Sequence, residues 1–181
     1  MAAGRNGVGA WSSRALLSVR HDPEAETLFI VDKTLRRKAI TGARSALSGY
    51  QKGHCFYCFE AFSLLDLSLP DVDHFFPHLL KTVGFAIEPI DGVWNFVLAC
   101  RRCSRGIDGK SARVPSIQLL ERLHTRNEFL IDSHHPLRET LMSQTGMAEP
   151  QRKAFLNSFH DRAVWALVHQ WEPKESAAPV F

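Results

Sequence analysis

The sequence predicts an α+β fold that is mostly helical, and three observations predict it. Two Cys-x-x-Cys pairs occupy residues 55–58 and 100–103. Between them lie short apolar runs bounded by Pro and Gly, which are typical of strands. Apolar residues also recur at helical spacing before the first pair and after Pro115. We therefore expect a small strand-containing unit, flanked by an N-terminal helix and a helical C-terminal region.

The length and composition are those of a globular protein. The chain has 181 residues, of which 45% are hydrophobic and 23% are charged, so it can bury a core. We expect three parts: a disordered start plus a basic helix (1–49), the strand-containing unit (50–115) and a helical region (116–181). No apolar run reaches the length of a membrane span, and we identify no signal peptide. We therefore expect a cytoplasmic protein, and inside cells paired cysteines more often hold metal than form disulfides.

One strand and one helix are predicted before the first cysteine pair. The apolar run Thr27–Val31 favours a short strand. From Leu35 to Leu47 an apolar residue recurs every four positions, and Gly53 is a plausible stop signal. The pattern predicts a helix that begins near Thr34 and leads into the first cysteine pair.

Two strands and a helix are predicted between residues 70 and 110. The run 72–76 lies between two prolines, and the run 93–100 follows the turn signal Asp91-Gly92. Each run is interpreted as a strand. A helix should then begin near Cys103 and run towards the Gly-Ile-Asp-Gly segment.

Three helices are predicted after Pro115. Ser116 can cap the first of them, and Ser133 can cap the second, which should end at Gly146. Residues 149–169 carry the apolar periodicity of a third.

The cysteines predict a structural zinc site. They are Cys55, Cys58, Cys100 and Cys103, called here the cysteine cluster, and the chain has no others. Each Cys-x-x-Cys places two sulfurs on one tight turn, and four thiolates complete a tetrahedral zinc site. A redox role would need a thioredoxin-like βαβ setting, which the sequence does not show. Unpaired buried thiols are the other alternative.

The segments around and between the cysteine pairs resemble a known enzyme family. CFYC, DVDHFFP and VWNFVLACRRC occur in the order of the four-cysteine HNH endonucleases. The pattern of that family is Cys-x-x-Cys, then Asp-His-apolar-x-Pro, then an Asn followed by a second Cys-x-x-Cys pair. A further Asn comes directly after the last cysteine. The resemblance covers about residues 50–115. It implies the ββα-metal fold and hydrolysis of nucleic-acid phosphodiesters, with one divalent cation at the scissile phosphate.

The resemblance also implies individual roles. His74 would be the general base, Asp73 a ligand of the catalytic cation, and Asn95 would hold the catalytic loop and orient His74. Elementary chemistry agrees, since histidine titrates near neutral pH and neighbouring strand residues point to opposite sides. Oxygen ligands favour Mg²⁺ or Mn²⁺. Taken alone, the Asp-His pair could instead be a strand-end histidine that a local carboxylate satisfies.

One position departs from the family pattern. Ser104 stands where the family has the Asn that supplies a metal ligand, and a serine hydroxyl is a weaker ligand than a carboxamide. Asp108 lies four residues further on, so a continuing helix would put it on the same face. We expect Asp108 to substitute for the missing ligand directly or through water. Activity would then be reduced, or the metal preference altered.

The basic residues suggest a nucleic-acid partner. The net charge is only +3, but residues 1–49 carry eight Lys/Arg against four Asp/Glu. Near the second cysteine pair, the candidate phosphate contacts are Arg101, Arg102, Arg105 and Lys110. The expected substrate is double-stranded DNA, with no membrane partner. Specificity would be weak or supplied by a partner protein or oligomer, and the resemblance implies a role in restriction or defence.

Three functions stay open at this point. The first is a metal-dependent DNA endonuclease. The second is a zinc-stapled nucleic-acid-binding module whose catalysis is weakened at Ser104. The third is a docking or oligomerisation surface on residues 116–181, with the zinc unit as its scaffold.

Overall fold

A computed structural model describes residues 18–22, 27–31, 37–62, 70–84 and 90–181. These ranges contain both small sheets and helices, and more residues lie in helices than in strands. The predicted α+β class is therefore confirmed. The predicted disordered start, residues 1–12, lies outside the described residues.

An antiparallel three-stranded sheet opens the described part of the chain. Its strands follow one another in space as in sequence: β1 (Ser18–Asp22), β2 (Thr27–Val31) and β3 (Arg37–Gly42). The strand predicted at Thr27–Val31 is thus confirmed, as the middle strand of this sheet.

The helix predicted from Thr34 is wrong over its first half. Residues 37–42 form β3, which pairs with β2, and the helix α1 begins only at Ala43 (Ala43–Gln51). The prediction depended on a few apolar positions, whereas Ile40 and Thr41 are β-branched and favour extended backbone. Pairing with an adjacent apolar strand decides between the two conformations.

The central part is a two-stranded antiparallel sheet followed at once by a short helix. Its elements are β4 (Asp71–His74), β5 (Phe96–Ala99) and α2 (Arg101–Arg105), with 3-10 turns at His78–Val83 and Val93–Asn95. Asp71 lies opposite Ala99, and His74 lies opposite Phe96. Both predicted strands are confirmed with different bounds: the first is displaced towards the N-terminus, and the second is shorter. The helix ends at Arg105, directly before the Gly-Ile-Asp-Gly segment (106–109) that it was expected to enter.

Three helices form the C-terminal region, as predicted: α3 (Ile117–Asp132), α4 (Arg138–Thr145) and α5 (Glu149–Leu167). A short parallel pair, β6 (Val114–Pro115) with β7 (Gln170–Trp171), joins the two ends of this region. Ser133 does not cap α4, because its N–H donates to Phe129 and closes the last turn of α3. Among the helices in the described ranges, none is both long and apolar enough to cross a bilayer.

One hydrophobic core links the central sheet to the C-terminal helices. The ring of Phe76, just after β4, lies 4.7 Å from the ring of Phe159 on α5. Trp94 is fully buried, and its ring lies 5.0 Å and 5.2 Å from those of Phe155 and Phe159. Burial of large aromatic side chains dominates the stability of such a core. The C-terminal helices therefore pack against the segments that flank β4 and β5 and fix the position of both strands.

A buried arginine connects α3 to the second strand. Arg126 is 1% exposed, and its guanidinium donates to the carbonyl oxygens of Trp94 at 3.2 Å and Phe96 at 2.8 Å. Burial lowers the pKa of Arg126 to about 10, so the group stays charged at neutral pH. Carbonyl dipoles compensate the charge, and α3 thereby fixes the junction between the 3-10 turn and β5.

Candidate functional site

The four sulfurs of the cysteine cluster converge as a metal site requires. All four lie within 4.8 Å of one another, and those of Cys58 and Cys100 are 3.8 Å apart. Tetrahedral zinc with bonds of about 2.3 Å places its sulfurs about 3.8 Å apart. The cluster could therefore hold a structural metal ion such as zinc. No other group of three or more Cys, His, Asp or Glu ligand atoms in the described ranges lies so close together.

A tight turn and the start of a helix bring the cysteine pairs together. In the turn of the first pair, the Phe59 N–H donates to the carbonyl of Cys55 at 3.0 Å, and Phe59 adopts a φ of +58° to close the turn. The second pair begins where β5 ends and α2 starts. There the Cys100 N–H donates to the Cys55 sulfur at 3.3 Å. The cluster thus ties this turn to the start of α2.

The two aspartates of β4 share the face of the strand that contacts α2. Asp71 accepts hydrogen bonds from the Ser104 hydroxyl and, at 2.8 Å, from the guanidinium of Arg105. Residues two apart on a strand point the same way, so Asp73 lies on this face as well. Asp71 and Ser104 are therefore in contact, although the sequence had given Asp71 no role.

Asp73 forms a buried ion pair with Lys110. The Tyr57 hydroxyl donates to Asp73 Oδ2 at 2.6 Å, and Lys110 Nζ lies 3.4 Å from the same oxygen. Lys110 is 1% exposed and Asp73 is 16% exposed. Burial raises the pKa of Asp73 and lowers that of Lys110, while the opposite charges act against both shifts. The prediction that Lys110 contacts DNA is wrong, because its ammonium faces inwards.

His74 points to the other side of β4. Its imidazole packs edge to face on Phe96, its partner in the register, at a centroid distance of 4.7 Å. His74 Nε2 lies 3.1 Å from Asp91 Oδ1, and Lys81 binds Asp91 Oδ2. The hydrogen bond to His74, together with Lys81, holds the pKa of Asp91 below its ordinary value. His78 Nε2 is 3.8 Å from the same carboxylate.

Besides Asp71, the sequence analysis does not identify the site residues Asp91, Lys81 and Tyr57. In the sequence Asp91 belongs to the Asp-Gly turn signal, and only its position four residues before Asn95 connects it with the site. Lys81 and Tyr57 lie in no recognisable pattern. Their contacts with Asp91 and Asp73 depend on chain segments that meet only in the folded protein.

Asn95 holds two loops together from a fully buried position. Its side-chain oxygen accepts from the Phe76 N–H at 2.7 Å, and its amide donates to the carbonyls of Phe76 and Ile90 at 3.0 Å and 2.9 Å. These loops follow His74 and precede Asp91. The direct side-chain contacts of Asn95 are thus with the loops that flank His74, and its action on the imidazole is indirect.

Asp108 does not share a helical face with Ser104. Because α2 ends at Arg105, Asp108 lies beyond the helix. Its side chain is 64% exposed, and its carboxylate pairs with Lys174 at 2.9 Å. The indole N–H of Trp171 also donates to the Asp108 carbonyl at 2.7 Å. The expectation that Asp108 replaces the missing ligand depended on a continuing helix, so the geometry gives it no support.

The arginines of α2 differ in how far they are already paired. Arg102 pairs with Glu60 at 3.0 Å and Glu175 at 3.1 Å, and Arg105 pairs with Asp71. Arg101 is exposed and has no ion pair with any residue in the described ranges. An incoming phosphate would therefore meet Arg101 directly, whereas the other two would have to exchange partners.

Comparison of the chain with family models, with curated proteins and with solved structures gave no match. Any functional assignment therefore depends on the chemistry of the site. On one side of β4 an imidazole faces a carboxylate, and on the other side oxygen ligands face α2. An imidazole bound to a carboxylate is a group that can accept a proton, and carboxylate and hydroxyl oxygens are the donors that hard cations prefer.

Proposed function

We propose that this chain is a metal-dependent endonuclease of the HNH type, which hydrolyses DNA phosphodiester bonds with a zinc-stapled ββα-metal unit. The supporting observation is the juxtaposition of Asp73 and His74 on one strand, paired with a second strand that follows Asn95. A helix that starts at the second cysteine pair completes the unit. This order of elements and residues is the one that the sequence resemblance implies.

The proposal requires two metals, and candidate donor atoms can be named for each. Four thiolates suit structural zinc, in the reducing interior of a cell. For Mg²⁺ or Mn²⁺, we assign Asp73 Oδ1, because the contacts from Tyr57 and Lys110 go to Oδ2. Ser104 and Asp71 supply further oxygens on the same side of the strand. When bound, the cation would offset negative charge on the phosphate and the leaving oxygen.

His74 acts as the general base in this proposal. A phosphodiester resists attack because it is anionic, so the attacking water must lose its proton as it bonds to phosphorus. His74 is 23% exposed, and one ring nitrogen is bound to Asp91. The other nitrogen takes the proton. Arg101, exposed beside the second cysteine pair, would contact the DNA backbone.

Cleavage of supercoiled plasmid tests this proposal. With Mg²⁺ or Mn²⁺ the protein should convert the plasmid to nicked or linear forms, and EDTA should stop the reaction. His74→Asn should lower the rate by about 10² to 10⁴, the usual contribution of a general base. His134→Asn, at an exposed histidine, is the matched control and should cleave normally. Equal rates for His74→Asn and the wild type would refute the proposal.

A catalytically weakened nucleic-acid-binding module is the second candidate. It is favoured by the internal pairing of both aspartates on β4, since Lys110 and Arg105 already neutralise them. Ser104 likewise directs its hydroxyl to Asp71. This module would bind DNA with a strong salt dependence but would cleave it with neither cation.

A further inference from the structure

The carboxylate of Asp91 lies at the centre of a small polar cluster on the His74 side of β4. Its Oδ1 is 3.1 Å from His74 Nε2 and 3.8 Å from His78 Nε2. Its Oδ2 binds the ammonium of Lys81. Asp91 is the one acidic residue recorded in this cluster within the described ranges, so two histidines and a lysine share a single negative charge.

This contact decides which nitrogen of His74 carries the proton. A carboxylate only accepts hydrogen bonds, and the contacts with His74 and Lys81 favour this ionised form by lowering the pKa of Asp91. His74 Nε2 must then be the donor. In the neutral imidazole the lone pair is left on Nδ1, and Nδ1 is the atom that can take a proton from water.

Asp91 is itself held firmly in place. The carbonyl of Ile90, the preceding residue, accepts from the buried side chain of Asn95 at 2.9 Å. The following residue, Gly92, accepts from the Asn95 N–H at 3.0 Å, and a Cβ at Gly92 would lie 2.5 Å from the Trp94 ring. The residues before and after Asp91 are therefore both fixed by Asn95, and Lys81 binds Oδ2 of the carboxylate.

We propose that Asp91 is a positioning residue for His74, which fixes the Nε2–H tautomer and aims Nδ1 towards the substrate water. Asp91 itself does not touch the reacting atoms. The catalytic consequence depends on the proposed nuclease function, whereas the tautomer does not. The two can therefore be tested separately.

The tautomer is measured by ¹⁵N–¹H correlation spectra of the histidine side chains at pH 8, where unperturbed histidine is neutral. The signals of His74 are assigned as the set that is missing from the spectrum of His74→Gln. We expect the Nε2–H form in the wild type and a mixture of forms in Asp91→Asn. Asp161→Asn, at an exposed carboxylate on α5, is the control and should leave the spectrum unchanged. An Nδ1–H form in the wild type, or an unchanged His74 signal in Asp91→Asn, would overturn the proposal.

Plasmid cleavage gives the second readout. Asp91→Asn should lower kcat by about 10² to 10⁴ with KM little changed, and Asp91→Glu should recover part of the loss. The double variant His74→Asn with Asp91→Asn should be no slower than His74→Asn alone, because Asp91 acts through the imidazole. Additive losses would overturn the positioning role. If the His74 variant alone cleaves normally, the nuclease assignment fails, and the spectra still decide the tautomer.

Discussion

Neighbouring side chains on β4 have different polar partners, because successive residues of a strand point to opposite faces. Asp73 lies with Lys110 and Tyr57, and His74 lies with Asp91. The sequence motif was sufficient to select Asp73 and His74, since their adjacency is local. Their partners could not be predicted in this way, because Tyr57, Asp91 and Lys110 reach the strand from other segments of the chain.

Ser104→Asn tests whether Ser104, which stands where the HNH pattern has Asn, limits the proposed cation site. An asparagine amide can keep the hydrogen bond to Asp71 while its oxygen faces the cation. We expect the half-saturating Mn²⁺ concentration for plasmid cleavage to fall about tenfold, a typical effect of improved metal ligation. Ser143→Asn, at an exposed position on α4, is the control. An unchanged Mn²⁺ dependence would remove Ser104 from the cation site.

At the scale of elements, the sequence predicts the strands and helices that have strong local signals. It does not predict the strands whose conformation depends on pairing with a distant segment. The run 93–100 became β5 with a preceding 3-10 turn, close to expectation. In contrast, β6 and β7 are two residues each, and their pairing across more than 50 residues leaves no pattern in the sequence. The chain leaves α2 at Gly106, where it passes so close to the Arg102 carbonyl that an added Cβ would lie 2.5 Å from the oxygen. Only glycine fits there without a shift of the backbone.

Asn95→Ala should weaken the connection between the two loops beside His74. The change leaves one N–H and two carbonyl groups buried without the partner that the amide supplies. We expect the free energy of unfolding to fall by roughly 3 kcal/mol, since each such group contributes about 1–3 kcal/mol when left unsatisfied. Urea denaturation measures the change. Asn157→Ala, at an exposed site on α5, should differ little from the wild type, and equal stability of both variants would contradict the assigned role.

At the scale of the whole molecule, the cysteine cluster and the C-terminal region act on the same unit. Arg126 and the ring of Phe159 extend the core across the predicted boundary at residue 115. At the C-terminal end of the sequence, the Ala177 N–H donates to the Cys58 carbonyl at 2.8 Å, and the Phe181 ring lies 4.8 Å from that of Phe59. The sequence predicted three consecutive parts, because it does not show which side chains share a core.

Loss of a zinc ion held by the cysteine cluster should therefore affect the whole chain. Zinc binding by four cysteines is linked to folding, with apparent free energies of about 10–16 kcal/mol in small zinc domains. We expect native mass spectrometry to find one zinc per chain. A strong chelator or Cys100→Ser should abolish cooperative thermal unfolding followed by circular dichroism. An unchanged Tm after complete zinc removal would contradict the role of the cluster.

Chemical rescue of His74→Gly by added imidazole tests the central claim most directly, because it replaces only the group that we assign as the base. Plasmid cleavage in Mg²⁺ should be lost in this variant and should return with rising imidazole concentration until it saturates. Asp73→Gly, which would lose a cation ligand, should gain nothing from imidazole. If imidazole restores no cleavage to a folded, zinc-loaded His74→Gly protein, or if that variant cleaves at the wild-type rate, His74 is not the base.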